Sequence, residues 1–107
     1  MNMMTGHAFL QKNFGITPKH AWHADAFGHS SATVELFNKM GFESISFARI
    51  NDEEKNVRKQ NKELEFIWRP NFESTSGQVS SNHSIFTHVM HELYNAPCGM
   101  DQWTGYT

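Results

Sequence analysis

A single cysteine, Cys98, rules out an internal disulfide and leaves the redox compartment unreadable from the chain. No stretch approaches the ~20 consecutive apolar residues that a membrane-spanning helix needs. Met1-Asn2-Met3-Met4-Thr5-Gly6-His7 lacks the basic flank and apolar core of a signal peptide. Charge of one sign is also missing. Nine Lys and Arg against eleven Asp and Glu give a net charge of −2, too little to imply nucleic acid or an anionic membrane as a partner. There are no internal repeats, and 107 residues bound the chain to one domain at most.

What is present is aromatic: nine Phe and three Trp argue against general disorder. Residues 1–14 carry the pattern of an amphipathic helix, with Met4, Ala8 and Leu10 inward and Gly15 past its end. After the break at Thr17-Pro18, Lys19 to Ala24 is a short buried strand. Phe27-Gly28-His29 forms a turn, and Ser30 or Ser31 caps a helix with Glu35 in its first turns. Ala32, Leu36 and Met40 recur at four-residue spacing, with Val34 and Phe37 beside them and Gly41 as the stop. Ile45 and Phe47 alternate with Ser44 and Ser46, which predicts a strand within 42–50. Strand, helix and strand in about thirty residues make a βαβ unit with parallel strands and a right-handed crossover.

Residues 52–62 are highly charged and read as a solvated helix or a charged loop. Leu64 to Trp68 is a third strand closed by Pro70, residues 71–84 a long polar loop, and 85–89 a short strand or turn. The tail from Tyr94 to Thr107 is irregular. Three strands with alternating helices can neither close a barrel nor cover both faces of a sheet, so the chain is predicted to be a piece of a larger α/β domain.

The chemistry concentrates in Trp22-His23-Ala24-Asp25-Ala26-Phe27-Gly28-His29-Ser30. It places one carboxylate at the C-terminal end of a buried strand, before a βα turn, where α/β proteins build their sites. Asp25 and Ser30 equally suit turn and N-cap hydrogen bonds. Parallel strands bring their C-terminal ends together, so Arg49 can approach Asp25 as its counter-charge, or pair at the surface with Asp52 or Glu53. His23 and Asp25, two apart on a strand, could share a metal if further ligands came from elsewhere. His88 and His91 at i, i+3 would share a helix face but match no zincin order, and two surface histidines near a helix end fit better. Phe27 and Trp22 are candidates for stacking on sugar rings. Cys98 reads as an inert thiol.

That nine-residue stretch resembles the Trp-x-x-Asp-Pro-Phe-Gly-His-Ser signature of glycoside hydrolase family 38 α-mannosidases. Gly6-His7-Ala8-Phe9-Leu10, Phe14-Gly15-Ile16-Thr17-Pro18, Met40-Gly41-Phe42 and Phe47-Ala48-Arg49-Ile50 are similar to further family segments. Leu64 to Pro70, Ile85-Phe86-Thr87 and Tyr94-Asn95-Ala96-Pro97 continue the match in the order of lysosomal-type members.

The resemblance implies an α/β fold, a partial parallel βαβ segment of the family's seven-stranded α/β-barrel catalytic domain. Residues 1–107 would be a fragment of that N-terminal domain, incomplete at both ends. It implies a retaining α-mannosidase that uses Zn2+. Asp25 would be catalytic nucleophile and metal ligand; Phe27, Arg49 and Tyr94 would contact substrate. The substrate would be a mannose-containing oligosaccharide or glycoprotein glycan, met in the lysosome or secretory pathway, by a full-length enzyme able to oligomerise. Ala26, Ala48 and Asn51 depart from the family's Pro, Gly and Asp without removing the carboxylate. The other zinc ligands and the acid/base carboxyl are expected outside the chain, so the 107 residues alone are expected to be inactive. Two further readings stay open: a truncated non-catalytic paralogue that binds a glycan or partner, and another α/β zinc hydrolase, such as a carbohydrate deacetylase, using His23 with Asp25.

Overall fold

The structure, a computed structural model, describes residues 2–70 and 83–96. Helix α1 (Asn2–Phe14) leads to strand β1 (His20–His23), helix α2 (Ala32–Lys39), strand β2 (Ser44–Phe47) and helix α3 (Asp52–Asn61). Strands β3 (Glu65–Trp68) and β4 (Ile85–Val89) follow. Among the described residues the strands form one sheet in the order β1-β2-β4-β3. β1 and β4 flank β2 in parallel, and β3 pairs antiparallel with β4.

The βαβ expectation holds for β1-α2-β2. The segment at 85–89, read as a strand or a turn, is a strand and lies inside the sheet, and the third strand pairs antiparallel at its edge. Side-chain alternation explains both. Ile85, Thr87 and Val89 are fully buried along β4, whereas Glu65 and Ile67 of β3 alternate outward, as an edge strand tolerates.

Register and alternation sort the sheet into two unlike faces. Ala21, Ile45, Phe47, Ile85, Thr87 and Val89 lie on the covered one, with Phe66 and Trp68 packed beside them. Val34 and Phe37 of α2 and Phe42 close this core, in which each fully buried Val or Ile contributes about 1.5–3 kcal/mol. Trp22, Phe86 and Ile67 point the other way and remain exposed, beside partly exposed Ser44, Ser46 and His88. One face is therefore open, as expected for too few strands and helices.

The helices bury less than their patterns suggested. α1 has no buried residue: Met4 is 70% exposed and Ala8 exposed, and its ring contact to the core runs from His7 to Phe42 at 5.2 Å. On α2 the inward residues are Val34, Phe37 and Met40, spaced by three. Ala32 and Leu36, expected inward, are exposed because no element covers that stripe among the described residues. Gly15 and Gly41, at φ +65° and +88°, end α1 and α2 in the left-handed conformation that a Cβ disfavours. The charged segment is a helix and not a loop. Asn51 caps α3 by accepting the Glu54 N–H at 3.1 Å, acidic residues fill the first turn and Arg58 and Lys59 the last.

Candidate active site

Asp25 follows β1 by two residues and Arg49 follows β2 by two, so the in-register pairing of His23 with Phe47 brings them to the same end of the sheet. Arg49 Nε donates to Asp25 Oδ1 at 2.5 Å. The arginine thus pairs with Asp25 and not with Asp52 or Glu53. Both side chains are about two-fifths exposed, so the pair adds about 1 kcal/mol or less to stability. Its effect is geometric. One carboxylate oxygen is fixed against a planar cation, and the other has no hydrogen-bond partner among the described residues.

The guanidinium also lies over Phe27, with Cζ 4.9 Å from the ring centroid. Phe27 is 84% exposed and borders an open cleft of about 560 Å3 lined by Phe27, Gly28, His29, Arg49, Ile50 and Asn51. Asp25 is not among the lining residues and meets the cleft through Arg49; an aromatic face and a cation on an open cleft can seat a polyhydroxylated ring, the aromatic meeting its C–H face. Tyr94 is half exposed after β4 and is not among the residues lining this cleft. Trp22, the other stacking candidate, projects from the open sheet face.

Asp25 does not serve as a cap. Ser30 does the local work, its Oγ accepting the Ala32 N–H at 3.3 Å, while Ser31 occupies the N-cap position with no side-chain hydrogen bond. His23 turns inward, edge-on to Phe37 at 5.4 Å and parallel to His29 at 6.2 Å. Its Nδ1 is buried without a hydrogen-bond partner among the described residues. His88 and His91 share no helix face, since the first lies in β4 and the second follows it. His88 Nδ1 donates to Glu65 Oε1 at 2.8 Å across the strands, and His91 to Glu92 at 3.0 Å. Among the described residues, no three His, Cys, Asp or Glu side chains converge as a metal site. Asp25 offers one oxygen donor where tetrahedral zinc takes four ligands, so these residues do not hold the ion by themselves. Cys98 lies outside the described residues.

Two residues beside the site escaped the sequence patterns. His29 Nε2 donates to the Arg49 carbonyl at 2.7 Å, and its ring stacks on Phe47 at 3.7 Å. Lys55, in a run that read as solvated, is buried, and its Nζ donates to the carbonyls of Ala48 at 2.7 Å and Glu92 at 2.9 Å. It ties α3 to the ends of β2 and β4. Burial, with Lys59 nearby, pushes the Lys55 amine below its ordinary value.

Burial, reinforced by His29, likewise holds His23 below the ordinary histidine value of 6.5. The unfolded chain therefore takes up this proton first as pH falls. The stability tied to neutral His23 is complete above 6.5 and is lost as pH falls through the folded-state value. Urea midpoints taken at about pH 7.5 and about pH 5.5 should drop for the parent chain and drop less for His23→Phe. Equal drops would remove His23 from the account. The carboxyls of Glu35, Glu43 and Glu92, lowered by hydrogen bonds from Lys39, Lys19 and Lys59, act below 4.5, outside this window.

Comparison with known proteins gives the family of the chain. The family model described as "Glycosyl hydrolases family 38 N-terminal domain" matches residues 1–106. The chain is 36% identical over 99 residues to a lysosomal alpha-mannosidase of Dictyostelium discoideum, covering 92% of this chain and 9% of that protein. It is 39% identical over 95 residues to a probable alpha-mannosidase of Arabidopsis thaliana, covering 88% and 9%. It is 37% identical over 97 residues to the human lysosomal alpha-mannosidase, covering 89% and 9%. The chain spans about a tenth of the length of these relatives.

Proposed function

Because this chain belongs to glycosyl hydrolase family 38, within its N-terminal domain, we propose that it carries the nucleophile segment of a retaining, zinc-dependent α-mannosidase. The full-length polypeptide would release terminal α-D-mannose from glycoprotein glycans, in the lysosome, which the names of two relatives print, or elsewhere in the secretory pathway. The observation that carries this is the Asp25–Arg49 pair beside the exposed Phe27.

In the proposed reaction a carboxylate oxygen of Asp25 attacks the anomeric carbon as the glycosidic C–O bond breaks. The departing oxygen takes a proton from a second carboxyl, supplied outside the described residues. Water then cleaves the glycosyl ester, delivered by the same carboxyl acting as base, and the anomeric configuration is retained. Arg49 orients the attacking carboxylate, and Phe27 offers a face to the sugar. Asp25 would be the donor this segment contributes to a zinc whose other ligands come from elsewhere in the polypeptide, and the ion would supply Lewis-acid chemistry there. Tyr94 is proposed as a further substrate contact. The reading of His23 as a second ligand has less support, since its ring packs against Phe37 and His29.

The test has two parts. The full-length polypeptide should hydrolyse an aryl α-mannoside with α-mannose as the first product by NMR, and β-mannose as first product would sink the nucleophile assignment. The isolated 107 residues should show neither turnover nor submicromolar zinc affinity by calorimetry, and either one would sink the incomplete site. Glycan retention without turnover by the full-length polypeptide, lost on Phe27→Ala, would instead favour a non-catalytic binding chain.

A further inference from the structure

We propose that His29 is a positioning residue for the Asp25–Arg49 pair, holding the backbone from which Arg49 reaches the carboxylate. This deepens the reading of Asp25 as nucleophile and rests on it for its catalytic consequence. Three residues at successive spacings of two converge on one arginine. Asp25 takes its Nε, Phe27 lies under its guanidinium, and His29 donates to its carbonyl at 2.7 Å.

The manner of the Arg49 contact makes backbone placement decisive. The carboxylate is met by Nε, one rotatable bond nearer the main chain than the terminal nitrogens. A shift of the Arg49 backbone then moves the donor unless three side-chain torsions readjust to compensate. Arg49 lies two residues past the last ladder residue of β2, where strand pairing no longer fixes the chain. His29 supplies what the ladder does not. Its ring is seated on Phe47, a core residue, at a 25° tilt, so the donor is referenced to the sheet itself. A carbonyl acceptor requires a proton on Nε2, which both the Nε2–H neutral ring and the imidazolium provide.

Two substitutions separate ring from donor. His29→Phe keeps a ring against Phe47 and deletes the hydrogen bond; His29→Gln keeps an N–H donor at similar reach and deletes the ring. Both are made in the 107-residue chain, and hydrogen exchange of the Arg49 side-chain Nε–H is followed by NMR. Amide signals of Ile45 and Val89 report the core in the same spectra. The parent Nε–H should be protected, and Asp25→Ala, which leaves no acceptor, should remove that protection. His29→Phe should speed exchange about tenfold with core signals unchanged, and His29→Gln should restore most of the protection. Unchanged protection in His29→Phe overturns the proposal, as does an equal loss in both variants. Collapse of the core signals in either variant also overturns it, because His29 would then be a residue of the fold. The nucleophile reading fails separately, on whether Asp25→Asn abolishes turnover in the full-length polypeptide.

Discussion

Asp25→Asn in the full-length polypeptide is expected to lower kcat for an aryl α-mannoside by about 10^4-fold or more, the scale on which loss of a covalent nucleophile acts. The amide preserves the size of the side chain, and it can still accept a hydrogen bond from Arg49 Nε through its oxygen. What disappears is the anionic oxygen that would form the ester. Asp25→Gly sharpens the test. It opens space at the nucleophile position, where azide can attack the anomeric carbon from the same side as Asp25 and displace the aryloxide, which leaves with the glycosidic oxygen. The product would be a β-mannosyl azide that the variant has no nucleophilic carboxylate to cleave, and its accumulation would identify Asp25 by stereochemistry. A loss of less than tenfold in Asp25→Asn would move the nucleophile elsewhere.

The second large effect falls on stability. Phe47→Ala is expected to cost about 3–5 kcal/mol, measured by urea unfolding of the chain, because a buried aromatic is exchanged for a cavity. Phe47 is 3% exposed, on the covered face of a strand flanked on both sides, edge-on to Trp68 at 6.4 Å and stacked with His29 at 3.7 Å. Such a loss is a large share of the ~5–15 kcal/mol typical of a whole domain. Phe47→Leu keeps most of the volume and should cost under ~1.5 kcal/mol. A cost below ~1.5 kcal/mol for Phe47→Ala would mean that the site end of β2 is not part of the core.

Much of this was legible from residue order. The alternation at Ser44-Ile45-Ser46-Phe47 marked β2, the glycines at 15 and 41 marked two helix ends, and two strands separated by a helix placed Asp25 beside Arg49. Helical spacing alone did not say which stripe of α2 faces inward. Leu36 satisfies the pattern but has nothing over it, while Phe37 meets Phe42 at 4.9 Å. The central role of β4 depends on pairing with residues some forty positions earlier, which five residues of local pattern cannot encode. α3 ends on Lys62 in the left-handed conformation, without the glycine that would announce it. At the site, the carboxylate, the arginine and the aromatic were visible as types in a motif. His29 was invisible because its partner is a backbone carbonyl, a group every residue carries. Lys55 was misjudged for a related reason: composition assigns a charged run to solvent, whereas two carbonyls at the strand ends give its ammonium a buried seat.

That seat has a use at the bench. Lys12, Lys19, Lys39 and Lys62 are exposed, so an acylating reagent reaches them in the folded chain, while the Lys55 amine is engaged twice and shielded. Its labelling must wait until α3 lifts away from the strand ends. The rate at which Lys55 is acylated, set against its exposed neighbours, would report how often that helix opens, the local counterpart of global unfolding.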